Sequence, residues 1–325
     1  MKAIQLTGFE GVKSLKLVDT VKPTPRPNEV LLQVKAAGLN YAETELMIGR
    51  YPAAHALPFI MGWEAAGIVI EVGAQVTQLK IGDKVTTVVS SGAFAEFATA
   101  DAAMAIPIPA GVSFPQAASI PLHGVTAAAM LKFAAKPLPA DSILIQAAAG
   151  GVGPFLVQLA KLAGVKNIIA LAGSSKKCEF ASLLGADVAI DYRREDWPAR
   201  VRAATDGKGV DVVLEAASGG VGEESFKLAA PFGRIVVYGA KNIHDTFPPE
   251  KLRQLISNNQ TLVGFNLPSL RPEQIGEVIP GLLGAISSGK VKLFAETSFP
   301  LEEAKAAFEK LLSRTTIGKV VLVPR

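Results

Sequence analysis

The chain has 325 residues, 49% hydrophobic and 19% charged, and its 33 basic and 29 acidic residues leave a net charge of +4. At roughly 150 residues per domain this predicts about two domains, each able to bury a core, and the composition is too apolar for disorder. One cysteine (Cys178) and three histidines (His55, His123, His244) exclude an intrachain disulfide and a cysteine-rich zinc site.

Residues 1–122 read as β-rich: alternating runs at 30–34 and 67–72 are separated by turn clusters at 23–28 and 82–84. From about residue 124 to 264 strands alternate with helices. Strands are predicted at 142–147, 168–172, 188–190, 210–214, 234–237 and 261–263. Between the first two, Leu156, Leu159, Ala160 and Ala163 share one helical face. The alternation predicts an α/β, doubly wound parallel sheet covered by helices. Residues 272–287 and 301–312 then read as helices and 318–322 as a final strand. No stretch approaches the ~20 apolar residues of a spanning helix. No basic stripe suggests nucleic acid, and the strand-like start lacks a signal-peptide core. A cytoplasmic protein with neither membrane nor nucleic-acid partners is expected.

The predicted strand at 142–147 runs into Ala148-Ala149-Gly150-Gly151-Val152-Gly153 and a helix. This follows the dinucleotide pattern G-x-G-x-x-G with alanine at the first glycine. Gly150 lets a backbone approach a pyrophosphate, Gly153 lets the helix pack on the strand, and the amides around Gly151 and Val152 face the anion. After the second strand, where an NAD site places an acid, the chain has Gly173-Ser174-Ser175-Lys176-Lys177. Hydroxyls and cations with no carboxylate suit the 2′-phosphate of NADPH, with Ser174 and Lys177 as its contacts.

With a β-rich region ahead of the dinucleotide motif, the chain resembles the medium-chain dehydrogenase/reductase superfamily. Its motifs match the zinc-free quinone oxidoreductase, zeta-crystallin-like branch: Ala37-Gly38-Leu39-Asn40-Tyr41, Gly49-Arg50-Tyr51-Pro52, Gly62-Trp63-Glu64-Ala65-Ala66-Gly67, Gly82-Asp83-Lys84-Val85, Gly124-Val125-Thr126-Ala127, Asp191-Tyr192-Arg193 and Gly264-Phe265. The resemblance implies a GroES-like catalytic domain from residues 1–122 and 265–325. A Rossmann domain at 123–264 is inserted, with the active site in the interdomain cleft, and homodimers are common. Asn40 and Trp63 stand where zinc relatives have ligands, so no metal is expected.

Without a Lewis acid, hydrogen-bond donors must stabilise the charge that develops on a reduced carbonyl. The resemblance puts Asn40 and Thr126 near the nicotinamide, and Tyr51 facing the cleft as a candidate proton donor. It places Tyr192 against the adenosine phosphate and Arg314 where a base can close on the cofactor. Gly239, Ala240, Phe265, Asn266 and Leu267 lie at strand carboxyl ends, where such sheets bind ligands. Trp63 and Cys178 read as packed residues, and His55 and His123 as structural or solvated. The leading expectation is an NADPH-dependent, metal-free reductase of quinones or related conjugated carbonyls. The alternatives are an enone or enoyl C=C reductase with Tyr51 as proton donor, and a non-catalytic NADPH-binding protein of crystallin-like or RNA-binding role.

Overall fold

The computed structural model describes residues 1–51, 56–239, 250–295 and 297–325. Eight strands come first: β1 (Lys2–Leu6), β2 (Leu15–Asp19), β3 (Glu29–Gly38), β4 (Phe59–Ile60), β5 (Glu64–Val72), β6 (Lys84–Val88), β7 (Phe97–Asp101) and β8 (Ile106–Pro107). Six follow in the middle of the chain: β9 (Ser142–Ile145), β10 (Asn167–Ala172), β11 (Val188–Asp191), β12 (Val210–Glu215), β13 (Ala229–Val237) and β14 (Thr261–Gly264). The last two are β15 (Thr297–Pro300) and β16 (Val320–Val323). The helices that matter below are α1 (Tyr41–Leu46), α2 (Phe114–Ala117), α3 (Val125–Ala129), α4 (Gly153–Leu162) and α5 (Ser175–Leu183). They are followed by α6 (Trp197–Ala204), α7 (Gly219–Lys227), α8 (Glu250–Asn258), α9 (Pro272–Ser287) and α10 (Ala304–Leu312).

The chain forms two compact units, Met1–Leu122 with Leu293–Arg325, and His123–Lys292. In the first, the main sheet runs β15-β16-β3-β5-β6-β8, with β7 also paired to β3, and a smaller sheet runs β2-β1-β4. The alternating sequence of β3 puts Val34 into a core with Ile4, Leu6, Leu39, Met61, Phe94, Phe308 and Leu322. The rings of Phe94 and Phe308 meet edge-on at 5.9 Å. The C-terminal strand β16 pairs antiparallel with the end of β3, Val321 opposite Gly38 and Leu322 opposite Ala37. The Leu39 amide then donates to the Val320 carbonyl at 2.9 Å. That pairing carries residue 319 to the start of α1, a placement the site depends on.

The second unit holds a parallel sheet in the order β11-β10-β9-β12-β13-β14. Ile143, Leu144 and Ile145 of β9 are fully buried, as expected for a strand covered on both faces. The order reverses at β9, between β10 and β12, so the carboxyl end of β9 is the topological switch point. The return to the first unit comes at Leu293 rather than at residue 265. The reason is local: Gln158 of α4 donates to the Lys292 carbonyl at 3.1 Å and accepts from the Lys292 amide at 2.8 Å. Helix α9 meanwhile packs on α3 within the same unit. Among the described residues no helix is long and apolar enough to cross a membrane.

Helix α4 begins at Gly153, and a Cβ there would overlap the Ala147 carbonyl and the Ala148 backbone. Gly153→Ala is therefore expected to lower stability by about 1–3 kcal/mol, the usual cost of overpacking. A denaturant titration measures it, and an unchanged midpoint would show that the turn has room to spare.

Candidate functional site

The phosphate turn has the form its glycines suggest. Ala147 takes a left-handed φ of 48°, so the turn's conformational demand falls one residue before the alanine aligned with the motif's first glycine. The Ala148 amide donates to the Leu171 carbonyl at 3.1 Å, and the Gly150 amide to Ala147 at 2.8 Å. Gly151, Val152 and Gly153 enter the N-terminus of α4, whose first amides have no partner within the helix. A Cβ on Gly151 would overlap the His123 imidazole, so packing against that ring requires the glycine.

The end of β10 gathers three predicted residues. A Cβ on Gly173 would sit 2.7 Å from the Tyr192 hydroxyl, so that ring lies over the glycine. The Tyr192 amide donates to the Ala172 carbonyl at 3.1 Å. Ser174 caps α5, its Oγ accepting from the Lys177 amide at 3.3 Å. No carboxylate lies between Gly173 and Lys177. At the fourth residue of the same helix, burial pushes the Cys178 thiol up, which suits a packed thiol rather than a reactive one.

The carboxyl ends of β9 and β12 hold a polar group that sequence reasoning missed. Gln146, just past β9, accepts from the amides of Ala216 at 3.0 Å and Ala217 at 2.8 Å, and donates to Ser225 Oγ at 2.8 Å. Glu215 Oε1 accepts from the Ser218 amide at 2.6 Å. Among the described residues Glu215 Oε2 and Ser218 Oγ are buried without hydrogen-bond partners, and Ser218 has a φ of 56°. Orphaned polar atoms at strand carboxyl ends fit a ligand that completes them. Gly239 packs on the Ala216 backbone so tightly that a Cβ would fall 2.8 Å from its Cα. Ala240 lies outside the described residues, as do His55 and His244. Phe265 continues the β14 ladder through its amide to the Val237 carbonyl at 2.9 Å. Asn266 donates to Ser269 Oγ at 3.3 Å, and Leu267 opens a single 3₁₀ turn. Thr126 is half-buried on α3.

Asn40 and Tyr51 belong to the first unit. Asn40, 6% exposed, precedes α1, and its amide donates to Glu43 Oε2 at 2.8 Å. Its side-chain Oδ1 accepts from Lys319 Nζ at 2.9 Å, and Lys319 is also paired with Glu64 Oε1. Glu64 Oε2 accepts from the Leu122 amide at 3.1 Å. Glu43, Glu64 and Lys319 are all fully or almost fully buried. Sequence reasoning missed the group; the signal was a lysine opening the apolar run 320–323 and a glutamate opening β5. Burial pushes the Glu43 carboxyl up to about 8 and, acting against the two carboxylates, lowers the Lys319 ammonium. Tyr51 stacks at 5.1 Å and 42° on Trp63, which fills the edge of the core, and burial raises the Tyr51 phenol. Arg314 is exposed in a left-handed turn after α10. Among the described residues no group of three or more His, Cys, Asp or Glu side chains could hold a metal ion.

These two units match known families. Residues 26–110 match the alcohol dehydrogenase GroES-like domain, and residues 151–283 the zinc-binding dehydrogenase family. The synaptic vesicle membrane protein VAT-1 homolog of Danio rerio is 32% identical, over 99% of this chain and 69% of that protein. The quinone oxidoreductase of Pseudomonas aeruginosa is 33% identical over 99% of both chains. The structure of Escherichia coli quinone oxidoreductase complexed with NADPH superposes with a TM-score of 0.92 at 31% identity, covering 100% of both chains. The chain belongs to the medium-chain dehydrogenase/reductase superfamily, in its quinone oxidoreductase branch. It is an oxidoreductase.

Glu43 gives the first unit a pH signature. Its carboxyl titrates near 4.5 unfolded and about 8 folded, so the folded chain holds an extra proton between those values. Its contribution to stability is full below the lower value and is lost as pH rises through the upper one. The thermal midpoint of Glu43→Gln should accordingly fall less than the wild type's from about pH 5 to about pH 8.5. Parallel profiles would show that Glu43 is already ionised at the acid end.

Proposed function

We propose that the protein is an NADPH-dependent, metal-free reductase of quinones or related conjugated carbonyls. The observation that carries the cofactor is the acid-free end of β10, where Gly173, Ser174 and Tyr192 meet beside the switch point. Gly150, Gly151, Val152 and Gly153 would hold the pyrophosphate on backbone amides. Ser174 and Lys177 would bind the 2′-phosphate, Tyr192 would lie along the adenosine, and Arg314 would supply a further cation. Gly239, Ala240, Phe265, Asn266 and Leu267, with Thr126, would line the nicotinamide end. When bound, NADPH supplies the two-electron reducing equivalent.

The protein's own part is to orient the acceptor and stabilise its developing oxyanion. Asn40 Nδ2 would donate to that oxygen. The Tyr51 phenol, its pKa raised by burial, stays protonated at neutral pH and would deliver the proton to an enone. An amide at residue 40 and an indole at residue 63 are poor zinc ligands, which supports chemistry without a metal.

Ser174→Asp should cut kcat/KM for NADPH by roughly tenfold or more relative to NADH, since it sets a carboxylate against a phosphate. Oxidation of both nucleotides with para-quinones, ortho-quinones and enones, with and without chelator, tests the whole reading. Equal wild-type rates with NADH would overturn the phosphate assignment, and loss of activity with chelator would overturn the metal-free one. Tyr51→Phe should slow enone turnover and spare quinones.

A homodimer in a cytoplasmic setting belongs to the same proposal. Among the described residues β14 is the outer strand of its sheet and leaves Leu262 38% exposed beside an open ladder. Val263→Pro, which places a ring in that strand, should shift a dimeric elution to a monomeric one. A wild type that is monomeric by light scattering at every concentration would exclude the dimer.

A further inference from the structure

We propose that Lys319 is a positioning residue that fixes which end of the Asn40 carboxamide is offered to the reacting oxygen. The inference rests on the donor role proposed for Asn40 and extends it to residues of no assigned part. An asparagine side chain can present either oxygen or nitrogen at one position, and only its partners decide which. An ammonium donates and cannot accept. The atom of Asn40 that lies 2.9 Å from Lys319 Nζ must therefore be the oxygen. That leaves Nδ2 as the donor end, with a long 3.4 Å donation to the Gly38 carbonyl and a side-chain contact with the Glu43 carboxyl.

Three features hold the ammonium in place. Glu64 pairs with it through Oε1, and the Leu122 amide anchors Glu64 through Oε2. Gly38 has no side chain, because a Cβ there would overlap Lys319 Cε and come within 2.6 Å of Glu64 Oε1. The Lys319 amide donates to the Phe294 carbonyl at 2.8 Å and fixes the base of the side chain. Glu43 and Glu64 are the carboxylates that act on Lys319, and Glu43 also fixes the Asn40 backbone. With Lys319 reduced to a hydrocarbon stem, the flipped carboxamide is opposed chiefly by the long Gly38 contact and by Glu43, so part of the population can flip. A flipped side chain offers its oxygen to a developing oxyanion and repels it.

Lys319→Met tests this, together with Lys319→Met/Glu64→Gln, which removes both buried charges and keeps an acceptor for the Leu122 amide. Steady-state NADPH oxidation by a quinone is measured for these, for Asn40→Ala and for Asn40→Ala/Lys319→Met. Loss of a single oxyanion donor costs 10²–10³ in kcat, so a partly flipped amide should cost about tenfold, with KM for NADPH unchanged. The Lys319 loss should vanish in the Asn40→Ala background, because a residue acting through Asn40 has nothing left to act on. The side-chain amide NMR signals of Asn40, assigned by their loss in Asn40→Ala, should move in both Lys319 variants. Additive losses, or full kcat in the folded double variant while Asn40→Ala is impaired, would overturn the positioning role and leave the function standing. Full activity in Asn40→Ala would instead remove the donor role of Asn40, and the inference with it. If the wild type reduces no acceptor, unmoved amide signals in the Lys319 variants would still refute the placement.

Discussion

A lysine ammonium with almost no access to water sits beside two carboxylates and an asparagine in the first unit, and much of that unit is arranged around it. An isolated buried charge is too costly to keep, so each neighbour has a required form. Glu64 must supply the countercharge, Gly38 must lack a Cβ, and β16 must lie beside β3 to bring residue 319 to residue 40. A C-terminal strand that completes an N-terminal sheet is thus a condition of this buried group as well as of the sheet's topology. The second carboxylate, Glu43, is kept predominantly protonated at neutral pH by its burial, so one cation balances one anion.

The second unit works by different physics. Its candidate binding elements are backbone amides and close approaches rather than buried charges. Gly153 and Gly239 are glycines because neighbouring main chain occupies the space of a Cβ, and Gly151 because the His123 ring does. Side-chain amides tie the strands: Gln146 links β9 to the end of β12, and Gln158 holds residue 292 to α4. Among the described residues such a frame leaves a few polar atoms incomplete at the strand ends, where ligands of open parallel sheets bind.

Regular elements were the most legible part of the sequence. All six central strands lie within a few residues of the expected runs, and Pro272–Ser287 forms the expected helix, because apolar periodicity reports burial directly. β15 escaped notice: Thr297-Ser298-Phe299-Pro300 is too short and polar to alternate clearly. The later unit boundary was equally hidden, since it depends on two hydrogen bonds from Gln158 across 134 positions. At the candidate site, Gly173 and Ser174 were read from the end of the second strand and Tyr192 from the resemblance, and the Tyr192 ring does lie over Gly173. Asn40 was found while its partners were not, because single charged residues at the ends of apolar strands look solvated.

By itself the sequence determined the order of strands and helices, the glycine turn and the acid-free end of β10. It also set out the motifs by which the chain resembles the quinone oxidoreductase branch. Each is local: a period, a spacing or a residue type decides it within about 20 positions. Only the tertiary structure decided that Asn40, Glu43, Glu64 and Lys319 form one buried group. Residues 40 and 319 are 279 positions apart, and neither carries a sign of the other. Strand pairing sets that distance, and the ammonium, which can only donate, then sets the direction of the amide.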